Sequence, residues 1–411
     1  MAISTRLALL GGTTSWADCG VGLRYLASFG TLTRGPAIAE YERAFARAIG
    51  VRFAYSFAAG RVGLYGLLGA FGVGSGDEVL LQAPTHIVVA NAIRYAGASP
   101  VFVDCRLDSL TIDLEQAERR ITPRSRVLLV QHTFGIPVEM DAVLDLARRH
   151  RLVVIEDCVH SLGARYAGRP LGSFGDAAFF STEETKTISS TMGGMVVTDD
   201  ARVAQRLAAF QAACAWPRAS LTARYLLKLI VYHLLTQPRL HSYSRWLYER
   251  IGRRQPLPRP TSSQELQGLK PARYEQRMSN AQAALALRQL RRLKTNLRHR
   301  AAIAEIYARA LAESGVRSPA VPPLGTPAFV RYPVWVRDRA AAVTAASPHT
   351  VLGTWFTSVL EEATSPQAGG YVSGSCPRAE LAASHLVNLP THLRVQPGHA
   401  QTIAASLAGF V

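Results

Sequence analysis

Lysine is scarce in this 411-residue chain: it occurs only at Lys186, Lys228, Lys270 and Lys294, against 42 arginines. A guanidinium never loses its proton, whereas a shielded ammonium can, and the free amine then attacks an aldehyde to form an imine. A chain that uses arginine wherever positive charge suffices needs a reason for each lysine it keeps. Lys186 sits in FFSTEETKTISSTMGGMVV, between two β-rich runs, while the other three lie in a basic segment where a solvated positive face accounts for them. Lys186 is therefore the candidate nucleophile, and an ordinary loop lysine is its alternative. The second candidate is Asp157, which closes the run LVVIED. A carboxylate at a strand end faces the expected ligand crevice of an α/β sheet, where it could hold a proton on a cofactor's pyridine-type nitrogen and make that ring an electron sink. Alone, such an Asp reads rather as a helix cap or half of a local salt bridge, and it is Lys186 that turns the reading.

The elements that must position these residues are legible as rhythm. From about residue 77, short β-rich runs (EVLLQA, PVFVDC, RVLLVQHTFG, LVVIEDC) alternate with helical patterns (THIVVANAIRYAG, TIDLEQAERRI, EMDAVLDLARRH). This predicts an α/β domain with a mostly parallel sheet covered by helices on both faces. DAAFFST at 176–182 and GMVVTDD at 194–200 read as two more strands of that sheet. The rhythm breaks at 216–270, a stretch rich in Pro, Arg and aromatic residues read as an insertion. One long helical run over 277–315 follows. VRYPVWV at 330–336 and HLVNLP at 385–390 then predict a smaller C-terminal α/β domain, which divides the chain into 1–295 and 296–411.

Composition excludes several classes. At 48% hydrophobic and 18% charged, the chain can bury large cores and is neither disordered nor a disulfide-stapled mini-fold. Cys19, Cys105, Cys158, Cys214 and Cys376 are odd in number and scattered, so they read as reduced thiols with no metal-binding spacing. No apolar run approaches the roughly 20 residues of a membrane span, and the N-terminus lacks a secretory pattern, so cytosol is the expected compartment. The net charge of +17 is concentrated: residues 216–300 hold 18 Lys and Arg against Glu249, Glu265 and Glu275, and the body is nearly neutral. With no binding motif beside this charge, nucleic acid is not an expected partner. Within the segment, SLTARYLLKLIVYHLL and the aromatics Trp216, Tyr225, Tyr232, Tyr243, Trp246 and Tyr248 suit either a helix lying on an anionic membrane or a dimer-contact insertion.

With Lys186 and Asp157 in place, the chain resembles the DegT/DnrJ/EryC1/StrS family of sugar aminotransferases. The resemblance is carried by GVGSGDEVLL, ANAIRYAGASPVFVD, ITPRSRVLLVQHTFGIPVEMDAV, VVIEDCVHSLGARYAGRPLGSFGDAAFFS and RMSNAQAAL. It implies the pyridoxal 5'-phosphate transferase fold type I, with Lys186 as Schiff-base lysine and Asp157 as partner of the pyridine nitrogen. It further implies His160 at the cofactor's phenolic oxygen, Ser181 at its phosphate, and His86 stacked on its ring, where a solvent-facing or core histidine is the alternative. The implied phosphate turn is Ala58-Ala59-Gly60-Arg61, in place of the family's Ser-Ser/Asn-Gly-Thr. Backbone amides of Gly60 and Arg61 at a helix start can still hold an anion. The family's cross-subunit Asn falls on Glu275, and an Arg61–Glu275 pair across a dimer interface is expected to neutralise it. Thr182-Glu183-Glu184-Thr185 replaces an aromatic-rich approach to the lysine, and the two acids either raise the lysine's pKa or face solvent.

The implied reaction is transfer of an amino group from glutamate or glutamine to a nucleotide-linked keto-sugar, by a homodimer acting in polysaccharide, glycolipid or antibiotic-sugar synthesis. A family member that has lost its chemistry and kept a membrane-surface or partner-binding role is the alternative. It rests on the altered phosphate turn and Glu275.

Overall fold

The computed structural model describes residues 6–9, 12–237 and 260–411. The strands are β1 Phe53–Phe57, β2 Glu78–Gln82, β3 Thr85–His86, β4 Ser99–Val103, β5 Ser125–Gln131, β6 Val153–Asp157, β7 Arg165–Tyr166, β8 Arg169–Pro170, β9 Ala177–Ser181, β10 Gly194–Thr198, β11 Gly325–Thr326, β12 Arg331–Trp335, β13 Leu360–Glu361 and β14 Leu386–Pro390. Seven of them form one sheet in the order β1-β10-β9-β6-β5-β2-β4. Only β10 runs against its neighbours. In β2 and β5, Val79, Leu81, Val127 and Leu129 enter one core and Leu80, Leu128 and Val130 the other. Both faces are buried, which is why these strands read as continuous apolar runs.

The first eight helices are α1 Trp16–Ala27, α2 Ala37–Ile49, α3 Gly60–Ala70, α4 Ile87–Tyr95, α5 Leu114–Arg119, α6 Met140–His150, α7 Ala201–Ala213 and α8 Ala219–Leu235. Helices α3, α4 and α7 cover one face through Leu64, Leu67, Ile93 and Leu207. Helices α2 and α6 cover the other through Tyr41, Phe45, Val143 and Leu146, joined by Ala283 and Leu287 of the helix Asn280–Leu290. The single long helix expected over 277–315 is instead two, Asn280–Leu290 and Leu293–Ala312. The helix stops at Arg292, whose φ −101° and ψ 2° leave helical geometry.

The second of these helices contributes Ile303, Tyr307 and Leu311 to a separate core with Tyr332, Val334, Val387, Leu389, Ile403 and Leu407. There the two C-terminal strands foreseen from sequence, β12 and β14, pair antiparallel, Arg331 opposite Pro390 and Trp335 opposite Leu386.

The expected insertion at 216–270 lies partly outside the described residues, including Tyr243, Trp246 and Tyr248. Its described start is α8, whose Leu226 and Leu229 pack against Cys19 and Leu32 and against Ala281 and Leu285. None of the described helices is long and apolar enough to cross a membrane.

Candidate active site

Because β6 and β9 run parallel, Asp157 and Ser181 end at the same edge of the sheet. The turn after β9 brings Lys186 back over that edge. Lys186 N–H donates to the Glu183 carbonyl at 3.0 Å, and Thr182 N–H donates to Gly193 O at 2.9 Å. Asp157, His160, Ser181, Lys186, Gly60, Arg61 and His86 all line one cavity of about 410 Å³. The seven site residues read from the sequence therefore lie around a single space.

Burial sets the protonation behaviour of this site. Asp157 is pushed up to about 7 by desolvation, against the Val159 N–H that donates to its Oδ1 at 3.1 Å and the nearby charge of Lys186. Lys186, 8% exposed, is held down to about 8 by desolvation, with Glu183 opposing and Arg331 assisting. Of the two neighbouring acids Glu183 does act to raise the lysine, together with Asp157 and Glu362, but loss of water outweighs all three. Neither acid simply faces solvent: Glu183, partly buried, accepts through Oε2 from Thr185 N at 2.9 Å, and Glu184 pairs with Lys228 at 2.8 Å. His160 is buried and held well below its ordinary value by desolvation. Its Nδ1 accepts from Phe134 N–H at 3.3 Å, which leaves the ring proton on Nε2. The His160 ring stacks on Trp355 at 5.0 Å.

Ala59, extended at φ −157° and ψ 158°, leads into α3 without a side-chain cap. The first-turn amides of Gly60 and Arg61 thus form an anion-binding helix start. A Cβ on Gly60 would come 2.9 Å from the Phe180 carbonyl oxygen, so glycine allows this close approach to β9. Ser181 Oγ accepts from Glu183 N at 3.2 Å beside it. His86 caps α4, its Nδ1 accepting from Val88 N at 3.3 Å, and its Nε2 stands 3.3 Å from Glu362, which it draws down to about 2.

Two expectations are corrected. Arg61 Nε pairs with Glu265 at 2.7 Å, both side chains largely buried, and Glu275 pairs with Lys270 at 2.7 Å. Each member of the expected Arg61–Glu275 pair is thus engaged within its own chain. Lys228, read from sequence as a solvated residue of a basic face, is buried against Glu184. Lys270 is likewise half-buried, its ammonium 4.0 Å from the Tyr65 ring centroid.

Sequence reasoning missed Arg331 and Trp355. Arg331 is 4% exposed in β12, lines the cavity and lies 4.0 Å over the Trp355 ring, whose other near cation is Lys186 Nζ at 4.5 Å. Among the described residues it forms no ion pair within 4 Å, Glu183 and Glu361 acting on it from further off, and burial holds it down to about 10. The available signal was an arginine inside the apolar run FVRYPVWV. His132, Glu156 and Cys158 also cluster, but this is a structural knot. Glu156 accepts from His132 Nε2 and from the amides of Gly172, Phe174 and Gly175, while His132 Nδ1 accepts from Val138 N.

Comparison with known proteins agrees with this geometry. The family model of the DegT/DnrJ/EryC1/StrS aminotransferases matches residues 22–232 and 235–408. Spore coat polysaccharide biosynthesis protein SpsC of Bacillus subtilis is 31% identical over 327 residues, covering 79% of this chain and 74% of that protein. GDP-perosamine synthase of Caulobacter vibrioides is 32% identical over 302 residues, 73% of this chain and 69% of that one. Among solved structures, S. venezuelae DesV superposes with a TM-score of 0.73 at 28% identity, over 96% of this chain and 94% of that one. Streptococcus pneumoniae Spr1654 in its PLP-form has a TM-score of 0.75 at 19% identity, over 96% of each chain, a likeness of fold alone. A lysine and a strand-end carboxylate on one cavity, in a chain that matches over nearly its whole length, leave one assignment: the protein belongs to the DegT/DnrJ/EryC1/StrS aminotransferase family and is a pyridoxal-phosphate-dependent transaminase.

Proposed function

We propose that the chain transfers an amino group from glutamate or glutamine to a nucleotide-linked keto-sugar, with Lys186 as its catalytic residue. The observation that carries this reading is the shared cavity of Lys186 and Asp157. The residues suit the cofactor. Asp157 is a buried carboxylate whose elevated pKa calls for a cationic partner, and a helix start with uncapped amides stands ready for a phosphate. When bound, pyridoxal phosphate supplies an electron sink for the charge left on a substrate carbon that has lost its proton. Asp157 would hold the proton of the ring nitrogen and keep that sink strong. Neutral His160, with its proton on Nε2, would donate to the phenolic oxygen. The amides of Gly60 and Arg61 with Ser181 Oγ would bind the phosphate, and His86 would flank the ring. Lys186, an amine of lowered pKa, would take the Cα proton of the donor as general base and give that same proton back as general acid.

Arg331 supports an amino acid as donor. A guanidinium so deeply buried, attracted by Glu183 and Glu361 but paired with neither, is costly, and a carboxylate held bidentately relieves that cost. The relative named UDP-4-amino-4-deoxy-L-arabinose–oxoglutarate aminotransferase, 36% identical over 178 residues and 46% of that protein, supports both a nucleotide sugar and the glutamate–oxoglutarate couple. SpsC and the GDP-perosamine synthases support a place in surface-polysaccharide synthesis.

We read the protein as a cytoplasmic homodimer, checked by light scattering. Its contact with anionic membrane would run through α1 and α8, where Trp16, Leu23, Leu227, Leu234 and Leu235 are exposed. Sedimentation with anionic liposomes checks that contact. The function itself is tested with Lys186→Ala, expected to lose the bound-cofactor absorbance and the glutamate half-reaction together. Retention of both would exclude Lys186.

A further inference from the structure

Two of the four lysines converge on one turn. Lys228 of α8 is 5% exposed, and its Nζ lies 2.8 Å from Glu184 Oε2, itself 11% exposed. Glu184 lines the same cavity as Lys186, two residues away. Its neighbour Glu183 is occupied inside the turn, accepting from Thr185 N at 2.9 Å and from Thr185 Oγ1 at 2.5 Å. Glu184 has no such local donor. Its carboxylate is pushed up to about 7 by burial and by Glu183, with Lys228 opposing. Helix α8 is in turn fixed by Leu226 and Leu229 in a core of their own.

A buried carboxylate deprived of its cation must take up a proton or find another cation. The amine on Glu184's own turn is Lys186. Among the described residues, the charges facing Lys186 are Glu183 from the turn, Asp157 from β6, Arg331 from β12 and Glu362 after β13, with His160 beside them. Those facing Glu184 are Glu183 and Lys228, with Tyr225 of α8 alongside. Lys228 is thus the cation that claims Glu184.

We propose that Lys228 is a positioning residue for the transamination: by sequestering the Glu184 carboxylate against α8 it keeps that acid off the Lys186 amine, which is left free to act as the base. This rests on the catalytic reading of Lys186. Freed of Lys228, Glu184 turns toward Lys186 and stabilises its ammonium, so the pH at which the base becomes available rises.

The test is the pH profile of transamination and of the bound-cofactor absorbance in holoenzyme, for wild type, K228M and E184Q/K228M. K228M is expected to move the midpoint up by about one pH unit and to lower activity at pH 7 by about tenfold, recovered at alkaline pH. The double variant is expected to return the midpoint to the wild-type value, because no stranded acid remains. K228Q, which keeps a donor to Glu184 without the charge, is the second variant should K228M not fold, with a smaller upward shift expected. A wild-type midpoint in K228M or K228Q, or a double variant that keeps the shift, overturns the proposal. A wild-type absorbance that survives K186A overturns instead the reading of Lys186 on which it rests.

Discussion

The lowered pKa of Lys186 makes a quantitative prediction for the cofactor-free protein. An ordinary lysine titrating near 10.5 is about 0.03% neutral at pH 7, whereas one held down to about 8 is about 10% neutral, a gain of about 300-fold in nucleophile. Capture of pyridoxal phosphate by Lys186 should rise about fivefold from pH 7 to pH 8 and then level off, where an exposed lysine still gains about tenfold for each pH unit. Lys294 is exposed and is followed in the same digests for comparison. The assay is a short pulse of cofactor at each pH, borohydride reduction of the captured adduct, and peptide mass spectrometry of both lysines. Glu183→Gln sharpens the test, because Glu183 is the strongest charge favouring the ammonium. Its removal should move the Lys186 midpoint down. A Lys186 profile parallel to that of Lys294, or a midpoint that rises in Glu183→Gln, would refute the claim that burial governs this amine.

Three further outcomes are expected. Glu265→Gln strands the buried Arg61 guanidinium at the start of α3 and should cost about 3–5 kcal/mol in urea unfolding, with weaker cofactor retention. Arg331→Met should raise KM for the amino acid donor by about ten- to a hundredfold, while cofactor binding, followed by absorbance, stays as in wild type. In the cofactor-free protein Asp157 should contribute a loss of stability as pH rises from about 4 to about 7, read as the difference between wild type and Asp157→Asn. The folded Asp157 keeps its proton to about 7 while the unfolded carboxyl releases it near 3.8, so the folded state binds more protons across that window. Denaturation at a series of pH values, with Asp157→Asn flattening the slope, checks this.

How much of this was visible in the sequence depends on the range of the interaction. Lys186 stood out because scarcity is a property of the sequence itself, and Asp157 because a parallel strand announces its own end. The alternation that predicts β2, β5 and β6 is local, and so are the strands β12 and β14. The break at Arg292 was not visible, since no Pro or Gly marks it. Arg331 hid inside an apolar strand, where one charged residue reads as the solvent-facing member of an alternation. Lys228 was misassigned for a different reason. A net charge summed over 216–300 describes the stretch and says nothing of which cation is withdrawn to meet an acid on another element. Glu265 and Arg61 are far apart in the chain, and only the fold brings them together.

The same three pairs bear on what the basic segment is. Three departures from the family pattern introduce a charge that is paired: Arg61 in the phosphate turn, Glu184 before the lysine, and Glu275 where the family has Asn. Each is met by an opposite charge, from Glu265, Lys228 and Lys270 respectively. All three partners fall within 216–270, the stretch that reads as an appended insertion. A surface appendage has no reason to supply these particular counter-charges, whereas a segment bound up with the site must supply those of Arg61 and Glu184, because an uncompensated buried ion costs several kcal/mol. Deleting residues 221–250 to probe membrane attachment would therefore also strand Glu184, and an activity lost in that variant would say nothing about lipid. Point substitutions of the exposed residues Leu227, Leu234 and Leu235 separate the two roles, since none of them belongs to a charge pair and all three lie on the outer side of α8.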